Sequence, residues 1–514
     1  MLRSRARRPL GPVFALCAVS AALACGESKR QATESSRGGS EPGAAGDTSG
    51  SGAGGADTQD GAAGAAEGPS AAGAPTAAGS GGSAEPGGAA GSVGESGTAG
   101  TAAGSGGLDP DCTEVLVQAD TQLGSNAALE ALRRVGRVEG NLDLSDAAPG
   151  ELTDLSALSC LKEISGDLTL YRNQALSTLA GLDALASVGG AIRITDNTAL
   201  ADVSALRSLT KVGGMLMFTR APALPNLDGL EGLTQAGGLW VEDAALLENI
   251  DGLQNLEQVA DLSLWNCPKL TSIAPLSKIR RVETLYLSTL GVPTLAGLEN
   301  LTGVGDTLTL SRVASTIGLE GLVTVEGRVK IEDNPELPNL DGFRSLKRVV
   351  GTLRIEACHA LEDLAALAEL ESVGSLEIIR NGGLVELTGL EQLTHVGGSA
   401  PEYLEITGNV GLESLTALSG LTQIDASLRI IESTSLKDLR GLDQLERITG
   451  SLSLQQNATL DDLDALSSLT RIDNSLDILF NPALATCEAE QLAERVMIGA
   501  FVTINGNFSD GDCP

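Results

Sequence analysis

The stretch from Gly166 to Gly190 reads GDLTLYRNQALSTLAGLDALASVGG, and its spacing decides the fold. Leu168, Leu170, Leu176, Leu179, Leu182, Leu185 and Val188 hold seven apolar places, and far downstream Leu452, Leu454, Leu460, Leu463, Leu466, Leu469 and Ile472 hold the same places at the same offsets. Between them the pattern returns every 23 or 24 residues. Self-similarity at a period of about 20 to 50 residues marks stacked supersecondary units, none of which can bury its apolar side alone. The segment L-x-L has period two and predicts a short strand with both leucines inward and the middle residue outward. The steps of three beyond it fit a tight, many-sided coil better than a long helix. The predicted fold is mainly β, a solenoid of roughly 14 to 15 coils with short helical caps.

Gly189-Gly190, Gly213-Gly214 and Gly237-Gly238 mark the corner before each strand, where positive φ or close backbone approach is expected. Five residues after the first strand leucine stand Asn173, Asn197, Asn334, Asn381, Asn409, Asn457 and Asn481. A buried amide there can bond the free backbone groups of the turn, and Asn on Asn makes a ladder. Cys267 and Cys358 occupy the same place four coils apart, on the order of 19 Å at one strand spacing per coil, so they cannot bond each other. They read as small buried thiols filling the amide slot. Helices are expected at the N-terminal cap, from Ser125 to Val135 with Leu129, Leu132 and Val135 inward, and from Cys487 to Val496. The long step from Leu376 to Leu404 places an insertion at Ser399-Ala400-Pro401-Glu402.

The chain divides into three: residues 1–24, 25–110 and 111–514. Arg3, Arg5, Arg7 and Arg8 precede the apolar run Val13 to Ala24, the form of a bacterial secretory signal cut after Ala24. The run is shorter than the roughly 20 residues a membrane-spanning helix needs. Ala22-Leu23-Ala24-Cys25 resembles the lipobox of bacterial lipoproteins, with Ala22 and Leu23 in exchanged roles. The resemblance implies that Cys25 carries lipid, and Gly26 after it leans towards the outer membrane or cell surface; free secretion is the alternative. Residues 31 to 110 are nearly all Gly, Ala, Ser, Thr, Pro and Glu, cannot bury enough surface to offset chain entropy, and read as a disordered tether. In an exported chain the cysteine pairs at the two ends, Cys112 with Cys160 and Cys487 with Cys513, are expected to form disulfides that staple the open ends of the stack.

The unit G-x-L-x-I/L, N-x-x-L, L-x-G-L-x-x-L-x-x-V-G-G, with Val/Ile-x-Gly junctions such as Val138-Glu139-Gly140 and Ile164-Ser165-Gly166, resembles the receptor L-domain family across roughly residues 112 to 514. That resemblance implies a right-handed β-helical, leucine-rich-repeat-like solenoid and a recognition role. It does not imply signalling, because the chain has no kinase segment and no cysteine-rich modules.

With 67 acidic against 34 basic residues the net charge is −33, and no basic stripe exists to displace phosphate counterions, so nucleic acid is not an expected partner. Two histidines, no Walker loop, no G-x-S-x-G, no H-E-x-x-H and no C-x-x-C leave catalysis and metal chemistry without a basis, and no cofactor is expected. Lys330, Arg354, Glu377 and Glu405 follow one another on adjacent coils. They suggest at most a β-helix polysaccharide enzyme, and cross-strand ion pairing accounts for them more simply. Asn505, Asn507, Asp510 and Asp512 form the densest oxygen cluster, without EF-hand spacing. Aromatic residues are only 2% of the chain, yet both tryptophans, Trp240 and Trp265, fall with Tyr286, Met215 and Met217 on or beside the outward strand face. Met217, Trp240, Trp265 and Tyr286 are therefore the candidate ligand-binding residues, for a surface protein or a glycan. The rival expectation is a structural spacer without a specific ligand, in which Trp265 and the methionines fill coil gaps.

Overall fold

The computed structural model describes residues 112–509 apart from 119, 120, 147 and 399–401, all within one unit of the chain. The expected signal, lipid site Cys25 and tether, together with Cys513, Asp510, Asp512 and Ser399 to Pro401 of the insertion, lie outside the described residues.

The outward and inward alternation of L-x-L becomes a single 23-stranded sheet. Its strands pair in parallel and in equivalent register, Leu168 with Ile192, Ile192 with Leu216, Leu216 with Leu239, Leu239 with Leu262 and Leu262 with Leu285. The same rung continues through Leu308, Val329, Leu353, Leu376, Leu404, Leu428, Leu452 and Leu476 to Val502. A second ladder of two-residue strands, Gln423–Ile424, Arg447–Ile448, Arg471–Ile472 and Met497–Ile498, runs beside it at the C-terminal end. The seven apolar places of the repeat are all core: Leu168, Leu170, Leu176, Leu179, Leu182 and Leu185 have no exposed surface, and Val188 has 1%. Each such side chain contributes about 1.5 to 3 kcal/mol relative to exposure. The apolar stack thus supplies the driving force, and each coil is stable only against its neighbours.

Helix is confined to the caps and to single turns, as the step of three predicts. Asn126–Leu129 is α-helical and continues as a 3-10 turn over Glu130–Leu132; the Ser125 hydroxyl accepts from the Ala128 N–H at 3.3 Å as N-cap. Leu129, Leu132 and Val135 are buried as expected, although Val135 already begins the strand Val135–Glu139. The C-terminal helix spans Thr486–Arg495. Cys112 and Cys160 are bonded, closing a loop of 48 residues around the first coil. Cys487 is also disulfide-bonded; Cys513, its expected partner, is outside the described residues.

The amide slot is a ladder. The Asn197 Oδ1 accepts from the Asn173 N–H at 2.9 Å, and its Nδ2 donates to the carbonyl of Leu170 one coil back. Asn381, Asn409, Asn457 and Asn481 repeat both contacts. Asn507, read from sequence as part of an oxygen cluster, is instead the terminal rung: its Oδ1 accepts from the Asn481 N–H at 3.0 Å and its Nδ2 donates to Ile478. The two thiols copy the amide's geometry. Cys358 Sγ donates to the carbonyls of Ile331 and Glu356, the positions equivalent to the Leu310 and Glu332 carbonyls that Asn334 bonds. Both thiols are free and buried, and burial pushes Cys267 up to about 12 and Cys358 up to about 11.

The corner glycines Gly189-Gly190, Gly213-Gly214 and Gly237-Gly238 work through close approach and not through positive φ, which at this corner is taken up by Gly140, Gly397 and Gly398. A Cβ on Gly189 would run into the carbonyl of Ser165 and one on Gly213 into the carbonyl of Gly189, each one coil back. Left-handed backbone occurs elsewhere, at the residue preceding the slot: Arg172, Asp196, Arg220, Asp243, Asn266 and Thr289 have φ of 62, 60, 53, 54, 52 and 53°.

Candidate recognition surface

With the leucines committed inward, the outward strand places form rows that can be read across coils from the register. One row runs Arg193, Met217, Trp240, Ser263, Tyr286, Thr309 and Lys330. The next, two residues further along each strand, runs Thr195, Thr219, Glu242, Trp265, Ser288 and Ser311. The structure therefore brings together all four candidate residues. Met217 and Trp240 are direct neighbours, Trp240 and Tyr286 flank Ser263, and Trp265 lies two places beyond Ser263 on the same strand. All four are half-buried on the strand face. Met215 is also half-buried; its Cε lies 3.1 Å from where a Cβ on Gly238 would stand, so the thioether rests over that glycine.

Between the large side chains sit small hydroxyl residues, which sequence reading passed over as ordinary face positions. Thr219, Ser263, Ser288 and Thr309 are 6%, 5%, 4% and 5% exposed, although each holds an outward strand place. Thr219 Oγ1 bonds Thr195 Oγ1 at 2.7 Å, and Ser288 Oγ bonds Thr289 Oγ1 at 3.3 Å. Ser263 Oγ is buried without a hydrogen-bond partner, a state that costs about 1 to 3 kcal/mol. The Trp240 indole N–H donates to the Glu242 carboxylate at 2.9 Å, which fixes the ring's polar edge along its own strand. Nothing in the L-x-L pattern signals that contact beyond the i, i+2 spacing of Trp and Glu.

Further along the face the charges pair off as expected for cross-strand partners. Arg354 donates to Glu377 at 2.6 Å on the adjacent coil and to Glu356 on its own strand, and Arg380 also pairs Glu356. Burial works against the Arg354 charge, yet the bonds to Glu377 and Glu356 hold its pKa above the ordinary arginine value. Glu405 faces Arg429 at 3.7 Å, while Lys330 has no ion pair among the described residues. These carboxylates are engaged by guanidinium groups of the same or neighbouring coils. A groove of about 940 Å³ lies at the start of the same central strands, lined by Gln235, Gln258, Lys278, Arg280, Arg281 and Glu283 among others. Among the described residues there is no cluster of three or more side chains suited to hold a metal ion. His395 is exposed beside Asp425 at 3.9 Å.

The chain is thus a leucine-rich-repeat-like parallel solenoid with a decorated outer sheet. No protein-family model matches the sequence, and no curated protein matches it. Among solved structures it is similar to an internalin from Listeria monocytogenes (18% identity, 74% of this chain and 84% of that one, TM-score 0.27). It is also similar to the chain in a TLR13–ssRNA13 complex (15%, 76% and 66%, TM-score 0.28) and to a leucine-rich repeat protein from Bacteroides ovatus (12%, 77% and 92%, TM-score 0.18). Likenesses at these scores carry nothing about ligand or role.

Proposed function

We propose that this chain is a non-enzymatic, exported recognition protein whose central strand face binds a partner on a cell surface. The observation that carries the reading is the juxtaposition of Met217, Trp240, Trp265 and Tyr286 on three successive coils and the one before them, half-exposed, in a chain whose aromatic content is 2%. Large aromatic side chains held by a rigid scaffold supply contact area at little entropic cost and dominate binding hot spots. The Val/Ile-x-Gly junctions support an L-domain type of coil. In this reading Cys25 carries the lipid anchor and residues 25–110 project the solenoid outward from an outer membrane or cell surface, about 50 Å on average for a flexible chain of that length.

Labelled full-length protein titrated onto intact bacterial and animal cells tests the face. The reading requires saturable binding to at least one cell type, weakened tenfold or more in a Trp240→Ala, Tyr286→Ala double variant that keeps the wild-type unfolding transition. Binding that never saturates, or that ignores the double variant, would leave the spacer reading in its place. Intact mass and detergent partition of protein from native membranes, with and without Cys25→Ser, test the anchor: a mature chain beginning at Cys25 with added diacylglyceryl mass is expected, and an unmodified chain in the aqueous phase overturns it.

A further inference from the structure

We infer that the row position at Ser263, between Trp240 and Tyr286, is a slot for a pyranose ring, so that the partner of this face is a carbohydrate. The inference rests on the recognition reading above and names its ligand class. Trp240 and Tyr286 are separated by two strand steps, about 9.6 Å at the backbone. A flat ring held between two others at van der Waals distance needs about 7 to 8 Å between the outer planes. The backbone spacing therefore leaves room for one ring, and no more, once the Trp240 and Tyr286 side chains part.

Three further features select a sugar over a protein side chain. The first is the Ser263 hydroxyl, buried, pointing outward and without a partner. It offers one donor and two acceptor sites, which a leucine or phenylalanine of a protein partner would leave unmet and a sugar hydroxyl would satisfy. The second is the availability of the rings. The chain has three tyrosines; Tyr171 and Tyr403 each carry an arginine on the ring, Arg172 at 4.8 Å and Arg429 at 3.9 Å, whereas Tyr286 carries no such cation among the described residues. The third is the set of oxygen atoms in the adjoining register positions: the Glu242 carboxylate, which holds the Trp240 indole N–H, and the nearly buried hydroxyls of Ser288 and Thr309, which the movement that opens the slot would uncover. Apolar ring faces alternating with hydroxyl and carboxylate groups match the two apolar faces and polar equator of a pyranose. Because Ser263 Oγ has no exposed surface, the slot is shut in the ligand-free chain and opens by a χ1 change of Trp240 or Tyr286, the ordinary soft motion of a half-buried side chain.

The chain supplies its own probe. Its only two tryptophans are Trp240 and Trp265, so intrinsic indole emission reports this face alone. Full-length protein is titrated with cellohexaose, xylohexaose, mannohexaose and chitohexaose while emission is followed. At least one is expected to shift the emission saturably, and Ser263→Ala is expected to raise its Kd about tenfold, Tyr286→Ala tenfold or more, with Tyr286→Phe close to wild type. No shift with any of the four, or a shift that Ser263→Ala and Tyr286→Ala both leave unchanged, overturns the inference. Cell binding separates this failure from failure of the underlying reading. Binding that needs Trp240 and Tyr286 yet survives periodate oxidation of the cells' glycans sinks the sugar and keeps the recognition face; binding indifferent to Trp240 and Tyr286 sinks both.

Discussion

The central coils and the coils that flank them are built from one repeat but hold their turns differently. In most flanking coils, Cys358 and Ser433 aside, the slot after the strand is Asn, and from Asn197 on its amide ties two successive coils together through backbone N–H and carbonyl groups. From Ala221 through Ala244, Cys267 and Leu290 to Val313 no amide is present. There the strands run unbroken through the corner, as in Gln258–Cys267 and Arg281–Leu290, 10 residues each; Arg348–Glu356 and Ser372–Ile379 extend this beyond the amide-free coils, and the coils nearer the ends divide into pieces such as Arg447–Ile448 and Leu452–Gln455. The aromatic face stands on these amide-free coils. The difference teaches that coil-to-coil cohesion can come from side-chain rungs or from longer backbone ladders, and that this protein places its large outward side chains over the latter.

The largest effect should be indifferent to the distinction. Leu285→Ala in the centre and Leu428→Ala in the flank each remove a side chain with no exposed surface, and each should cost about 2 to 5 kcal/mol in chemical denaturation; a central value well below the flanking one would mean the core is looser beneath the aromatic face.

The rungs should then separate by their bonding. Asn457 accepts from the Ser433 N–H and donates to Ile430, so Asn457→Ala strands buried groups and should cost about 2 to 3 kcal/mol. Asn173 stands at the head of the ladder with both side-chain amide atoms buried and unpartnered, so Asn173→Ala should stay within about 1 kcal/mol of wild type by the same measure. Equal costs would show that the slot matters for shape and not for hydrogen bonding.

The smallest effect concerns the thiols. Cys358→Asn restores an amide between Asn334 and Asn381 and is expected to leave the denaturation midpoint unchanged or slightly raised. With Cys267 pushed up to about 12 and Cys358 up to about 11 from 9.0, both stay protonated in the folded chain while an unfolded thiol ionises. Stability is thus fully present below about pH 9 and declines as pH rises from there towards 11 and 12, a decline that Cys267→Ala, Cys358→Ala should reduce. Iodoacetamide at pH 8 should label neither thiol in the native protein.

Much of this was legible because the repeat makes burial periodic: the inward leucines, the Asn rungs, the thiols in the same slot and both helical caps follow from spacing alone. What stayed hidden has a physical reason in each case. The left-handed residue before the slot is Arg, Asp, Asn or Thr as readily as Gly, since neighbouring coils clamp the backbone there, so no composition marks it. Asn507 was misgrouped because the last coil is longer, 26 residues from Asn481 to Asn507. Ser263 reads as any outward serine in the sequence, because only three dimensions show that it is 5% exposed with a buried, unpartnered hydroxyl. Glu242 was missed for the same reason, its role being to hold a ring and not to pair a charge.

The equivalent register has a consequence for how such a chain can change. Leu404, Leu428 and Leu452 stand in one rung, so loss of residues 428–451 would bring Leu404 beside Leu452 with every inward and outward position still in phase, whereas loss of a single residue inverts the faces of the strand that bears it. The sequence can therefore lengthen, shorten or reshuffle its reading face in whole coils at little risk to folding, which makes the order of outward residues a text that can be edited by the line but not by the letter.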